Sequence, residues 1–502
     1  MIHLKAIREH AALSPSRAAV VTANSHMSWL ELQIKTESKI RFLLTQFGTN
    51  LPTQACYILP NRTELLPWLA AFVTLGIPVT GLDYTLPLAT LRKLATVIGA
   101  DLLLVSTTAL DYGDGPLEIG TPGSLHLDLD SPTHVYTATT DTSSSVDILE
   151  DVRSLGIEQQ RPYCSVGLTS GTSGLPKPVI RRGSFDQRRF AYFTQHYGFS
   201  REDRFLVSMP LYHAAGNGWA RLFMSLGATL YFASADAPEE LAKAIPRYGI
   251  TASVMVPYLL DAVIDTLGGR AVTLRWVLVG GKHFPPSQKQ RALEKLGPVI
   301  YEYYGTTETG VNTIAEPDDL ARYPASVGRA YDGNMIAVVD AACRPLGPRE
   351  AGTVAIASYM NMSHYGDGSA NEIFIDGDRY LLTPDQGYLD GEGRLYLLNR
   401  SARPDNHSHL YRLEDAIRYM PCIADVALLQ SDDQDGSKID CVISLRAHAQ
   451  ETPQLHHRLQ ALAAEEFLQL ARCRVAPRIP YSPSGKVRAS DLQLLLSDIH
   501  IL

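Results

Sequence analysis

Short apolar runs alternate with helix-spaced stretches from Trp29 to about Ala330, and no other feature limits the fold of this chain as much. Trp29 to Phe47 carries Leu30, Leu32, Ile34, Ile40, Leu43 and Leu44 on recurring faces, the spacing of a helix. Ala55–Leu59 reads as a buried strand, Glu64–Leu75 as a helix, Ile77–Gly81 as a strand, Leu88–Ile98 as a helix and Leu102–Val105 as a strand. That β-α-β order argues for a parallel sheet with helices on its faces. Residues 131–145, rich in Ser and Thr, read as a loop. The rhythm resumes with strands Phe205–Ser208, Ala228–Phe232, Ala252–Val256 and Trp276–Val279, and with helices such as Pro238–Tyr248.

After residue 330 the pattern changes. Short alternating runs (Met335–Val339, Gly352–Ile356, Leu395–Leu398) separated by Gly, Pro and Asp predict a small β-rich module. From Arg400 onward, two strands (Val426–Gln430, Ile439–Leu445) and a long helix (Thr452–Leu470) suffice for a small separate domain. The expected fold class is α/β. A large N-terminal domain, 1–399, divides into two doubly wound α/β subdomains (about 1–160 and 161–330) and a β-barrel-like module (331–399). A small α+β C-terminal domain, 400–502, follows.

Composition excludes several classes. With 502 residues the chain is too long for one ordinary core, and 45% hydrophobic with 20% charged residues is globular. A formal net charge of −8 without a basic run disfavours a nucleic-acid partner. Cys56, Cys164, Cys343, Cys422, Cys441 and Cys473 are scattered, with no Cys-x-x-Cys, which fits a reducing compartment. The N-terminal residues lack the apolar core of a signal peptide, and the apolar stretch Leu65–Val79 is too short to span a bilayer and holds Pro67 and Pro78. A soluble cytoplasmic protein, monomer or homodimer, is expected.

Four segments carry chemistry. Thr169-Ser170-Gly171-Thr172-Ser173-Gly174-Leu175-Pro176-Lys177 supplies backbone donors without Cβ obstruction, small hydroxyls and one point charge. Such a set suits a polyphosphate. It equally suits a plain surface loop, and Ser170 or Ser173 with Lys177 permits a Ser–Lys hydrolase. It is not a P-loop, because Lys177 follows Pro176 and precedes Pro178. Tyr303-Tyr304-Gly305-Thr306-Thr307-Glu308-Thr309-Gly310 reads as a strand end turning into a loop, where hydroxyls and one carboxylate can hold a phosphate and a hard cation. Leu381 to Tyr396, with its Asp-Gly and Glu-Gly turns, reads as a hairpin that presents Asp385, with Arg400 shortly after. Pro480 to Arg488 places Lys486 on a tight Ser-Gly turn.

Taken in this order, the four segments resemble the adenylate-forming ligase superfamily, which comprises acyl-CoA synthetases, luciferases and peptide-synthetase adenylation domains. The resemblance spans Tyr163 to Arg488. It implies joining of ATP and a carboxylate to give an acyl-adenylate and pyrophosphate, with Mg²⁺. By similarity, Thr169, Ser170, Gly171, Thr172, Ser173 and Gly174 wrap the β- and γ-phosphates, and Lys177 adds charge there. Glu308 holds Mg²⁺ and Thr307 contacts the α-phosphate, within the motif that includes Gly305 and Thr306. Gly280-Gly281-Lys282 flanks adenine, with Tyr304 stacked near it. Asp385 binds the ribose hydroxyls, supported by Arg400. Lys486 bridges carboxylate and α-phosphate from a mobile C-terminal domain. A non-catalytic nucleotide-binding relative is the remaining alternative.

Departures from the pattern bear on the second half-reaction. The hinge position holds Ala402 where Asp or Lys is usual, and His407 to Asp415 lacks the paired glycines of the loop that lines the family's pantetheine tunnel. Pro178 stands where glycine is usual. These changes lean the acceptor toward an amine or amino acid, giving an amide, with CoA or carrier-protein thioester formation as the alternative. On the acid side, Pro210 to Gly218, including His213, Asn217 and Gly218, matches the pocket-lining segment. No Asp stands there to pair a substrate ammonium, and an unpaired buried ammonium is costly. The expected acid is therefore a non-amino one: aryl, alicyclic or acyl.

Overall fold

The computed structural model describes residues 2–106, 108, 124–130, 147–156, 164–169, 176–233, 237–270, 272–400, 407–430, 438–446, 449–482, 485, 487 and 489–497. Its largest sheet has nine strands. Ile300–Thr306, Trp276–Gly280, Ala252–Met255, Arg204–Val207, Thr229–Phe232 and Ala18–Val21 run parallel in that spatial order. Gly310–Ala315 and Arg329–Ala330 extend one edge antiparallel, and His26–Ser28 extends the other. The chain's first strand pair thus completes the sheet built by the middle third. A second sheet of four parallel strands runs Val79–Gly81, Ala55–Ile58, Leu102–Val105, Leu125–Asp128.

Helices are fixed by local chemistry as well as by packing. Trp29–Phe47 opens with a capping box: Glu31 N–H donates to the Ser28 hydroxyl, and Ser28 N–H donates to the Glu31 carboxylate at 2.7 Å. Pro238–Tyr248 and Pro257–Leu267 start on a proline, whose missing N–H costs nothing in the first turn, and stop at Gly249 and Gly268 in left-handed conformation, φ 59° and 57°. One core fills both large sheets and their helices, with Trp29, Trp68, Trp219 and Trp276 each about 1% exposed. Beneath the nine-stranded sheet, Lys289 and Glu302 form an ion pair at 2.6 Å with side chains 2% and 3% exposed.

The later part is a β-rich module followed by a small α+β part, as expected. Met335–Val339, Gly352–Ala357, Asp378–Leu389, Glu372–Ile375 and Leu395–Arg400 form one antiparallel sheet. A separate core of Leu413, Ile417, Val426, Ile439, Ile443 and Leu459 organises the C-terminal part. One expectation is corrected there. The helix proposed to run to Leu470 ends at Glu465, and Gln469–Val475 is a third strand, parallel to Lys438–Leu445. Phe467 adopts φ 59°, a conformation that no right-handed helix can continue. The stretch 131–145 read as a loop lies outside the described residues. No described helix is long and apolar enough to cross a membrane.

Candidate active site

The glycine- and hydroxyl-rich segment connects two paired strands in the chain. Cys164–Leu168 pairs antiparallel with Pro178–Arg182 in the register Leu168 to Pro178. The neck closes when Lys177 N–H donates to the Thr169 hydroxyl at 2.9 Å and Thr169 N–H donates to the Lys177 carbonyl at 3.0 Å. Ser170, Gly171, Thr172, Ser173 and Gly174 lie outside the described residues. Thr80 of the four-stranded sheet donates its hydroxyl to the Val166 carbonyl at 3.0 Å, which anchors the hairpin to that sheet.

The Tyr-Tyr-Gly-Thr-Thr-Glu segment lies beside this neck. Ile300–Thr306 turns back through Thr307–Thr309 into Gly310–Ala315, a hairpin tighter than the loop read from sequence. A Cβ on Gly305 would stand 2.0 Å from the Gly310 carbonyl oxygen, so only glycine permits this return. A Cβ on Gly167 would stand 3.4 Å from the Thr307 methyl, which puts the two hairpins in contact. Arg181, 8% exposed, fixes the turn: it donates Nε to the Met360 carbonyl at 2.8 Å and Nη2 to the Thr307 carbonyl. Thr306 accepts the N–H of Thr309 on its hydroxyl at 3.2 Å.

Glu308 projects toward the hairpin neck. Its carboxylate accepts the Tyr365 hydroxyl at 3.0 Å, and Lys177 Nζ lies 5.5 Å from the centroid of that Tyr365 ring. Burial and the Glu308 charge both raise the Tyr365 pKa above the ordinary phenol value. Residues far apart in sequence thereby converge: Lys177, Glu308 and Tyr365, whose strand His364–Tyr365 pairs with Pro178–Arg182.

Gly280-Gly281-Lys282 sits at the carboxyl end of Trp276–Gly280. A Cβ on Gly280 would stand 2.5 Å from the Tyr303 ring, so the missing side chain is filled by tyrosine. Burial pushes the Tyr303 phenol up to about 12. Gly281 takes φ 78° and its Cβ position lies 3.8 Å from Val256. On the other side of the strand, the Tyr304 hydroxyl donates to Asp385 at 2.7 Å. Asp385, 5% exposed, follows Thr383, whose hydroxyl donates to the Val354 carbonyl at 2.9 Å. Arg400 stands opposite Asp385 in backbone register.

The C-terminal part reaches the same end of the sheet. Tyr481 stacks on Tyr258 with centroids 3.7 Å apart, and Lys282 Nζ lies 5.4 Å from the Tyr481 ring. Desolvation pulls the Lys282 ammonium below the usual lysine value. Gly485 has φ 78°, and its Cβ position lies 2.6 Å from Val256 and 3.0 Å from Tyr258. Val256 is thus flanked by Gly281 and by the residue preceding Lys486. Lys486 and Ala402 lie outside the described residues. The stretch from His407 is a helix, His407–Arg418. It docks through Tyr411 stacked on His283 at 4.4 Å and through the Ser287 hydroxyl, which donates to Asp415.

The segment Pro210 to Gly218 opens helix Ala214–Ser225. His213 caps it, accepting the Ala215 N–H on Nδ1 at 3.3 Å. Asn217 hydrogen-bonds to the buried Tyr57 hydroxyl of the second sheet. A Cβ on Gly218 would stand 2.8 Å from Arg189 Nη1.

Thr169, Lys177, Thr307 and Glu308 therefore form one cluster, Tyr304 and Asp385 a second, and Gly280, Gly281 and Lys282 a third beside the C-terminal segment. Sequence reading assigned no role to Arg181, Tyr365, Tyr303 and Arg189, because each meets its motif residue across the fold and not within a local run. For Mg²⁺, no group of three metal-ligating side chains occurs among the described residues. Glu308 offers a carboxylate beside Tyr365 and Lys177. Mg²⁺ commonly takes one or two carboxylates and completes its shell with substrate phosphates and water, so this donor set fits.

A family model described as AMP-binding enzyme matches residues 7–366. The uncharacterized acyl–CoA ligase YhfT of Bacillus subtilis (strain 168) is 24% identical over 390 residues, 78% of this chain and 76% of that protein. The structure of O-succinylbenzoate coenzyme A synthetase (MenE) from Bacillus subtilis in complex with AMP superposes with a TM-score of 0.74 at 20% identity, over 99% of this chain and 98% of the other. The amide bond synthetase McbA from Marinactinospora thermotolerans superposes with a TM-score of 0.73 at 20% identity, over 98% and 99% of the two chains.

Proposed function

The chain belongs to the AMP-binding enzyme family of adenylate-forming ligases, and from that premise we propose that it activates a non-amino carboxylic acid with ATP and transfers the acyl group to an amine or amino acid. One observation carries the first half of this reading: sequence-distant motifs meet at one end of the parallel strands. Thr307 meets the hairpin at Gly167, Tyr365 links Glu308 to Lys177, and Gly281 and Gly485 share Val256. A carboxylate oxygen attacks the α-phosphorus of ATP, the bond to the pyrophosphate oxygen breaks, and acyl-adenylate and pyrophosphate result. Both reactants are anions, so the rate depends on positioning and positive charge more than on proton transfer.

The residues divide that work. Thr169 to Gly174 and Lys177 bind the β- and γ-phosphates, and Thr307 holds the α-phosphate. Mg²⁺, held by Glu308, supplies charge neutralisation at the phosphates. Gly281, in left-handed conformation, leaves an approach for the adenine, while Tyr303 fills the space at Gly280 and Tyr304 stands on the ribose side with Asp385. Asp385, oriented by the Tyr304 hydroxyl, binds the ribose with support from Arg400. Lys282 lies under the C-terminal part, and Lys486 enters with that part. His213, Asn217 and Gly218 line the acid pocket. Asp385→Asn keeps shape but removes charge, and charge-assisted hydrogen bonds contribute about 1.5–3 kcal/mol each. The variant is expected to raise the KM for ATP about 10–100-fold, read by pyrophosphate release, while its urea midpoint stays close to that of the parent. An unchanged KM removes Asp385 from the nucleotide site.

The amide lean rests on helix His407–Arg418, which occupies the sequence position of a glycine-rich loop and packs on His283 and Ser287. The thioester reading rests on the acyl–CoA ligase among the relatives. Mass spectrometry of the products formed with CoA and an amino acid in competition separates the two, and a dominant CoA thioester overturns the amide reading. Absence of pyrophosphate release across a broad acid panel, with no ATP binding, overturns adenylation itself.

A further inference from the structure

Arg189 lies on helix Asp186–Tyr197 and is 6% exposed. Its guanidinium packs over the Trp219 ring at 4.7 Å and near Phe193 at 5.9 Å. No hydrogen bond or ion pair ties that guanidinium to another described residue, and Nε is sealed from solvent without an acceptor. The carboxylate within electrostatic reach, Asp186, is engaged by Arg221 at 2.6 Å, and Arg221 adds a second cation. Aromatic faces attract a cation but do not accept its in-plane N–H groups. A buried charge in that state calls for a counter-ion.

The neighbours sharpen the demand. Trp219 Nε1 and the Tyr331 hydroxyl are also buried without an acceptor, and Tyr331 lies within electrostatic reach of Arg189. Arg189 and the Tyr331 hydroxyl bring two donors without an acceptor to one aromatic wall, and the nearby Asp332 carboxylate is engaged by Arg188. The location ties this wall to the acid pocket. Arg189 Nη1 stands 2.8 Å from the Cβ position of Gly218, in the segment that opens helix Ala214–Ser225. On its other side Arg189 reaches Tyr303 electrostatically, and Tyr303 fills the space beside Gly280.

We propose that Arg189 receives a second anionic group of the acid substrate, a carboxylate remote from the one that is adenylated, so that the enzyme acts on dicarboxylic acids. This rests on the adenylation reading above. It also deepens the absence of an acidic partner for a substrate ammonium: the pocket wall is cationic, not merely uncharged.

ATP–pyrophosphate exchange by the full chain tests it, with aliphatic and aryl diacids of graded length, each paired with its monomethyl ester. Sites built to bond a polar group reject analogues that lack it, so kcat/KM is expected to favour one diacid over its ester by about 100-fold or more. Arg189→Met is expected to bring that ratio to within a few-fold of unity, and Arg189→Lys to keep part of it. If the methionine variant does not fold, the ratio for the parent protein decides, together with a rise in its melting temperature from the diacid but not from the ester. Exchange with esters equal to or above that with diacids overturns the Arg189 assignment alone. So does a preference that survives in Arg189→Met. No exchange with any acid overturns the adenylation reading and this proposal with it.

Discussion

Lys486→Ala is expected to lower the rate of pyrophosphate formation by about 10²–10³-fold while leaving the melting profile unchanged, because a preorganised charge aimed at developing negative charge contributes about 2.7–4 kcal/mol to a transition state. The reaction brings a carboxylate onto a phosphate, so loss of a cation at the bridging oxygens is felt more in the transition state than in bound ATP. The KM for ATP should therefore move less than kcat. The neighbouring geometry supports the position: Gly485 packs on Val256, which also meets Gly281. A single-turnover pyrophosphate assay with a melting curve checks it. A rate within a few-fold of the parent removes Lys486 from the chemistry.

Lys289→Met is expected to have the largest effect on stability, a loss of about 3–5 kcal/mol near neutral pH, because it strands a buried carboxylate. Lys289 meets Glu302 at 2.6 Å and also donates to the carbonyls of Pro324 at 2.7 Å and Ser326 at 3.1 Å. Burial already raises the Glu302 pKa to about 6, with Lys289 opposing the rise. Without the lysine it rises further. A folded-state pKa above the unfolded value means that the folded protein holds the proton more tightly, so stability falls as pH rises through the folded value. The deficit of Lys289→Met is therefore greatest at pH values well above about 6 and shrinks below it. Urea unfolding at several pH values measures this. Adding Glu302→Leu should recover part of the loss, since an apolar pair leaves no charge stranded while the two carbonyls stay unpaired. A Lys289→Met protein within 1 kcal/mol of the parent at every pH contradicts this account.

Much of the secondary structure was legible in short patterns. Trp29–Phe47 is helical over the span that its apolar spacing gives, and Ala252–Met255 and Trp276–Gly280 are strands where apolar runs stand. The miss at residues 466–470 has a physical cause: periodicity continues past Glu465, but Phe467 turns left-handed and the following residues pair with Lys438–Leu445. A propensity pattern carries no information about which distant strand offers an open edge. Sheet order was equally hidden. Ala18–Val21 lies beside Thr229–Phe232, a partner that no local pattern names.

The sequence by itself determined the order of the motifs, the residue types that suit phosphate, ribose and charge, and the departures at Ala402 and His407 to Asp415. Each of these depends on chemistry held within a few consecutive residues. Tertiary structure decided what those residues meet. It set Tyr365 on Glu308 beside Lys177, the Tyr304 hydroxyl on Asp385, and Arg181 beneath the Thr307 turn. It alone exposed Arg189, an ordinary helical arginine in the sequence, as a buried guanidinium without a partner beside Gly218. Whether a charge is satisfied depends on burial and on neighbours brought together from distant segments, and neither quantity exists until the chain is folded.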